Sequence, residues 1–194
     1  MEFIPDDIRR LYEVKEWRNA SAILAGRHEE EWGNILEVLR AFRLKRSYIV
    51  KGGGGRSDVP RLVDGHLARL GWQKRRFETR ITVDEQSYDS PTHEVDMFKG
   101  RVAVEVEWNN KTEFYDRDLN NFRLLFDLRV IDVGVIITPS DELRGILTSL
   151  GIWKKYGTSS TNVGKLYPRL EGGGGGGCPV LVFAITKALY LKDE

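Results

Sequence analysis

Four carboxylates fall within fourteen residues: Glu94, Asp96, Glu105 and Glu107, in the run Glu94-Val95-Asp96-Met97-Phe98-Lys99-Gly100-Arg101-Val102-Ala103-Val104-Glu105-Val106-Glu107. The run reads as a β-hairpin. On its second strand Val102, Val104 and Val106 face one side, while Ala103, Glu105 and Glu107 face the other. A two-residue turn at Lys99-Gly100 sets Asp96 opposite Ala103 and diagonal to Glu105, with Cβ atoms roughly 7–8 Å apart. Carboxylates crowded onto one small surface repel one another and are costly to bury unless a cation joins them. Oxygen donors of this kind suit a hard divalent ion such as Mg²⁺, with Mn²⁺ as a substitute. The chemistry implied is activation of a water molecule for hydrolysis. The same alternation also fits any half-solvated strand.

The elements that must position these residues belong to a mixed α/β chain with a central β-sheet flanked by helices. Leu11 to Trp17 alternates as a strand. Glu29 to Phe42 has a helical stripe of Trp32, Ile35, Leu36, Leu39 and Phe42. Val59 to Leu70 predicts a helix with Leu62 and His66 on its apolar face, closing at Gly71. Trp72 to Thr79 reads as a strand and Asp84 to Pro91 as a polar turn. After the hairpin, Thr112 is placed to cap a helix with Tyr115, Leu119, Phe122, Leu125 and Phe126 on one face. Val133 to Thr138 predicts a strand buried on both faces. Ser140 to Leu147 reads as a capped helix and Val163 to Leu170 as a helix broken or bent near Pro168. The glycines 172–177 read as a flexible loop, and Val180 to Ile185 as the last strand.

At 194 residues the chain is expected to form one domain over residues 1–194. A net charge of +1 neither demands nor excludes a polyanionic partner, because basic and acidic surface can be segregated. One cysteine, Cys178, rules out an intramolecular disulfide. The acidic N-terminus is unlike a signal peptide, and no apolar run is long enough to span a bilayer, so the expected location is the cytoplasm. The three histidines and single cysteine form no zinc pattern, although His93 is close in sequence to Asp96.

Asp96 followed by Glu105-Val106-Glu107 resembles the core motif of the PD-(D/E)xK nucleases. Residues 95–110 are more specifically similar to the active-site strand of the BglII and BstYI type II restriction endonucleases. The likeness extends to Tyr12–Ala20 with Ala22–Leu24, to Ile131–Ile137, and to Pro179–Phe183. It departs at Glu107, where that group carries Gln and the wider superfamily usually Lys, which leaves the general base open. The resemblance implies a restriction-endonuclease-like core and a homodimer cutting double-stranded DNA at a short palindrome, one containing GATC, to leave 5′ overhangs. A cognate DNA methyltransferase would belong to the same system. It further implies Asp96, Glu105 and the Val106 carbonyl as metal ligands and Glu107 as a catalytic group.

Three stretches are candidates for DNA contact. Asn109, Asn110 and Lys111 leave the active strand, and such side chains can read base edges or phosphates. Lys155, Ser159 and Ser160 match a region near the family's recognition loops. Lys51, Arg56 and Ser57 flank a glycine run that can wrap a phosphate. A junction-resolving or repair nuclease of the same superfamily, or a non-catalytic DNA-binding module, would share these features.

Overall fold

The computed structural model describes residues 2–50, 57–91, 93–157 and 159–193. The chain opens with α1 (Asp6–Leu11), β1 (Tyr12–Trp17), α2 (Ala20–Arg27) and α3 (Glu29–Ala41). Three glutamates begin α3 and Arg40 ends it, as the helix dipole favours. Next come β2 (Leu44–Lys45), α4 (Arg46–Val50) and α5 (Asp58–Arg69), followed by β3 (Gln73–Arg75) and the ribbon of β4 (Glu78–Val83) and β5 (Gln86–Pro91). The centre is β6 (Val95–Lys99), β7 (Val102–Val106), α6 (Glu113–Asp127) and β8 (Val133–Pro139). The chain closes with α7 (Leu143–Ser149), α8 (Val163–Glu171), β9 (Val180–Ile185) and β10 (Tyr190–Leu191). No described helix is long and apolar enough to cross a membrane.

Six strands make one mixed sheet in the order β1-β9-β8-β7-β6-β3. β7, β8 and β9 run parallel, and β1, β6 and β3 complete it with antiparallel pairings. Every residue of β7, β8 and β9 is buried, as expected of strands covered on both faces. One face carries Val102, Val104, Val106, Val135 and Phe183 against α1, α3 and α5. The other carries Ala103, Ile136 and Val182 against Tyr115, Leu119, Phe122 and Leu125 of α6 and Leu166 and Leu170 of α8. Glu105 and Glu107 share the parity of Ala103, so α6 is the helix that meets them.

Several sequence expectations need correction. The hairpin turns at Gly100-Arg101, so Lys99 pairs with Val102 and Phe98 faces Ala103. Gly100 takes φ +55° at the first turn position, and a Cβ there would collide with the Glu31 carboxylate. Arg101, freed from the strand, grips Asp132 with two bonds (2.9 and 2.7 Å). The shift is by an even number of residues, so the faces assigned to the strand survive. Of residues 84–91 only Asp84-Glu85 form the turn, and Gln86–Pro91 pair with Glu78–Val83 as a β-ribbon: Thr79, Thr82 and Tyr88 carry strand preference that the charges around them masked. Thr112 makes no side-chain cap, and α7 begins at Leu143, after a turn in which Glu142 N bonds to Ser140 Oγ. Leu62 is exposed, and His66 lies 3.1 Å from Glu37 instead of within the core. Glycines 172–177 form hydrogen-bonded turns packed on α6, with Gly176 against Arg123 and Gly177 against Phe126.

Candidate active site

The site begins with a fault in strand pairing. Gln73 pairs with Phe98 and Arg75 with Val95, so two steps along β3 face three along β6. The extra residue falls at Asp96 and Met97, opposite Lys74, and a bulge of this kind re-aims side chains. Asp96 turns toward solvent, its side chain 24% exposed, with Lys74 Nζ 3.6 Å away. Glu105 reaches back from β7 to the main-chain nitrogen of Asp96 (3.4 Å).

Glu105 is fully buried, and its Oε1 has no hydrogen-bond partner. Burial, and then the charges of Asp118, Asp96 and Glu107, push its carboxyl well above the ordinary range. Glu107 is 2% exposed. Its Oε2 accepts from Asn110 Nδ2 (2.6 Å) and its Oε1 from Arg117 (3.3 Å). Desolvation raises its carboxyl against the pull of these donors. The end of β7 is pinned by Thr138, whose hydroxyl donates to the Glu107 carbonyl (3.0 Å).

Asp118, on α6, is a member of the site that the sequence reading missed. It is wholly buried, and Arg117 clamps its Oδ1 (2.9 Å). Arg117 links it to Glu107, and burial and then the nearby Glu107 charge hold its carboxyl well above the ordinary range. The signal was present: Asp118 lies three residues after Tyr115 and four before Phe122, inside the apolar stripe of α6. A charged residue on that face is costly unless it has a task. Lys74 was also missed, because its position depends on the bulge.

Above these groups lies a cleft of about 440 Å³ whose lining includes Ser57, Lys74, Asp96, Val106, Glu107 and Asn109. His93 also faces it, held below its ordinary pKa first by burial and then by Arg117. Asn109, in the left-handed region at φ +58°, starts one rim. That rim is zipped to residues 159–161: Lys111 bridges Ser160, Thr112 N bonds to Ser159 O (3.2 Å), and Thr161 N to Asn110 O (2.9 Å). Two separate candidate stretches are thereby joined. Lys111 and Ser159 are exposed on it. Ser160 is buried, its hydroxyl tied to the carbonyls of Tyr156 and Gly157. The Asn110 amide is spent on Glu107. Lys155 lies elsewhere, its Nζ 3.4 Å from the Ile49 carbonyl. Lys51 and Arg56 fall outside the described residues, whereas Ser57 reaches the cleft.

The donor chemistry fits a hard divalent cation. The Glu105 oxygen without a donor is the buried polar atom that such an ion would satisfy, and Asp96 and the Val106 carbonyl offer further oxygens. Among the described residues no three His, Cys, Asp or Glu side chains converge as a ready-made metal cluster. A cation here would therefore complete its shell with main chain, water or substrate oxygens, as Mg²⁺ commonly does.

No curated protein sequence matches the chain significantly. The family model described as restriction endonuclease BglII/BglIII matches residues 12–185, from the first residue of β1 to the last of β9. With the match spanning every strand of the central sheet, the chain belongs to the BglII/BglIII family of restriction endonucleases, enzymes that cleave DNA.

Proposed function

We propose that the chain is a Mg²⁺-dependent type II enzyme that hydrolyses phosphodiester bonds of double-stranded DNA at the Asp96–Glu105 cleft. The observation that carries this reading is Glu105: a fully buried carboxylate, one oxygen without a donor, directed at the strand that bears Asp96. Asp96, Glu105 and the Val106 carbonyl hold the cation, for which Mn²⁺ can substitute. Such an ion, when bound, lowers the pKa of a water molecule and offsets the charge of phosphate oxygens.

Glu107 is the group to accept a proton from the attacking water. Its raised affinity for protons brings it nearer the working pH, where a general base is most effective. Asn110 and Arg117 fix its orientation, and Arg117 ties it to the buried Asp118. Asn109, Lys111 and Ser159 contact DNA along the rim, while Asn110 and Ser160 hold the rim in shape. Lys155 and Arg56 are further DNA-binding candidates on their sequence alone. Two copies act together, each cutting one strand of a short palindrome; a GATC-containing site and 5′ overhangs are the specific expectation. A cognate methyltransferase protects host DNA in the same cytoplasm.

Asp96→Ala tests the assignment. In Mg²⁺ the variant should lose at least roughly 10³-fold in cleavage rate, within the scale seen when a group stabilising transition-state charge is removed, while duplex binding stays within a few-fold. Metal-dependent cutting by Asp96→Ala at a rate near that of the unaltered protein would remove Asp96 from the reaction.

A further inference from the structure

The cleft has a charge problem that the groups described so far leave open. Glu94, Asp96 and Glu107 line it, with Glu105 and Asp118 buried close by. A phosphodiester brings another negative charge. Among the described residues lining the cleft, Lys74 and Arg117 supply the fixed positive charges. Arg117 is committed. Its guanidinium bonds Asp118 twice (3.1 and 2.9 Å) and Glu107 once (3.3 Å), and it stacks on Phe114 with 4.1 Å to the ring centre.

Lys74 is placed differently. Its Nζ lies 3.1 Å from Glu94 Oε1 and 3.6 Å from Asp96 Oδ1, and its side chain is 44% exposed. Both partners hold it over the open side of Asp96. The β6 bulge produces this placement, since it sets Asp96 and Met97 against the single residue Lys74. Exposed pairs of this geometry hold weakly, so the ammonium is free to exchange a carboxylate for a phosphate oxygen.

We propose that Lys74 is a further catalytic residue: its ammonium contacts the scissile phosphate beside Asp96 and stabilises the charge that gathers on the phosphate oxygens. It acts as a fixed positive charge, forming no bond and transferring no proton. The inference rests on the reading that DNA is cut at Asp96 and Glu105.

The test compares Lys74→Ala, Lys74→Arg and Asp96→Ala with the unaltered protein. Single-turnover cleavage is measured on a duplex containing the mapped site, duplex affinity in Ca²⁺, and Mn²⁺ affinity on the DNA-free protein. Lys74→Ala should cut roughly 10²-fold more slowly, the scale of losing one charge-stabilising donor, with duplex affinity changed by less than about threefold. Lys74→Arg should recover most of the rate. Without the competing ammonium, Mn²⁺ should bind the DNA-free Lys74→Ala protein a few-fold more tightly. The inference is overturned if Lys74→Ala cuts at the unaltered rate, if its defect lies wholly in duplex affinity, or if Mn²⁺ affinity is unchanged. Cutting by the unaltered protein, none by Asp96→Ala and full cutting by Lys74→Ala would overturn the Lys74 role alone. Full cutting by Asp96→Ala would overturn the underlying reading as well.

Discussion

Glu105, Glu107 and Asp118 place three carboxyl groups where water is largely excluded, and the folded protein answers by holding protons. Their raised affinities mean that the folded chain binds more protons than the unfolded chain between the ordinary carboxylate range and the raised folded values. Stability without metal therefore falls as pH rises through that window. The thermal midpoint of metal-free protein should drop as pH rises above the ordinary carboxylate range. Asp118→Asn, which removes one buried charge, should flatten that profile, with a gain on its high-pH side of roughly 2–4 °C for each kcal/mol recovered. Thermal scans across pH check this; an unchanged slope in Asp118→Asn would show that Asp118 does not contribute to it. Asp132 is a contrasting case. Arg101 holds its carboxyl below the ordinary range, so its contribution is present above the ordinary carboxylate range and is lost as pH falls through the lowered folded value.

At the scale of elements, α6 is the part on which the site depends. It brings Arg117 and Asp118 to the C-terminal end of β7 while Phe122 packs against Gly134 of β8, where any Cβ would overlap the ring. Gly134→Ala should destabilise the fold by about 1–3 kcal/mol, the usual cost of overpacking, and should lower activity by displacing Arg117 and Asp118. Denaturant titration alongside a cleavage assay measures both; unchanged stability would mean that α6 is not seated there. The same elements show what the sequence made legible. Parity alone sorted Glu105 and Glu107 from Val104 and Val106, and the apolar run at β8 announced a central strand. The turn was misplaced because Gly100 can serve at either turn position, and the contacts that decide, Glu31 and Asp132, are distant in sequence. The bulge at Asp96 has no local signature, so Lys74 stayed invisible. Asp118 was visible as a charge within an apolar stripe and was passed over in favour of the stripe.

For the whole molecule, a net charge of +1 gives little long-range attraction to DNA. Binding must come from basic groups arranged around a carboxylate-lined cleft, and its salt dependence should reflect those local contacts. A single cleft faces one strand, so the proposed reaction needs two copies. Sedimentation with and without a duplex should give the mass of a dimer, and a monomer on DNA would contradict paired cutting. Cys178 is buried with its thiol pushed up to about 12, which makes it a poor candidate for linking copies. The most direct measurement is digestion of unmethylated phage DNA by the purified protein in Mg²⁺, followed by sequencing of the fragment ends. Ends that all fall within one short palindrome, with staggered cuts and 5′ extensions that vanish in chelator, are the predicted result. Random ends, or intact DNA in both Mg²⁺ and Mn²⁺, would contradict it.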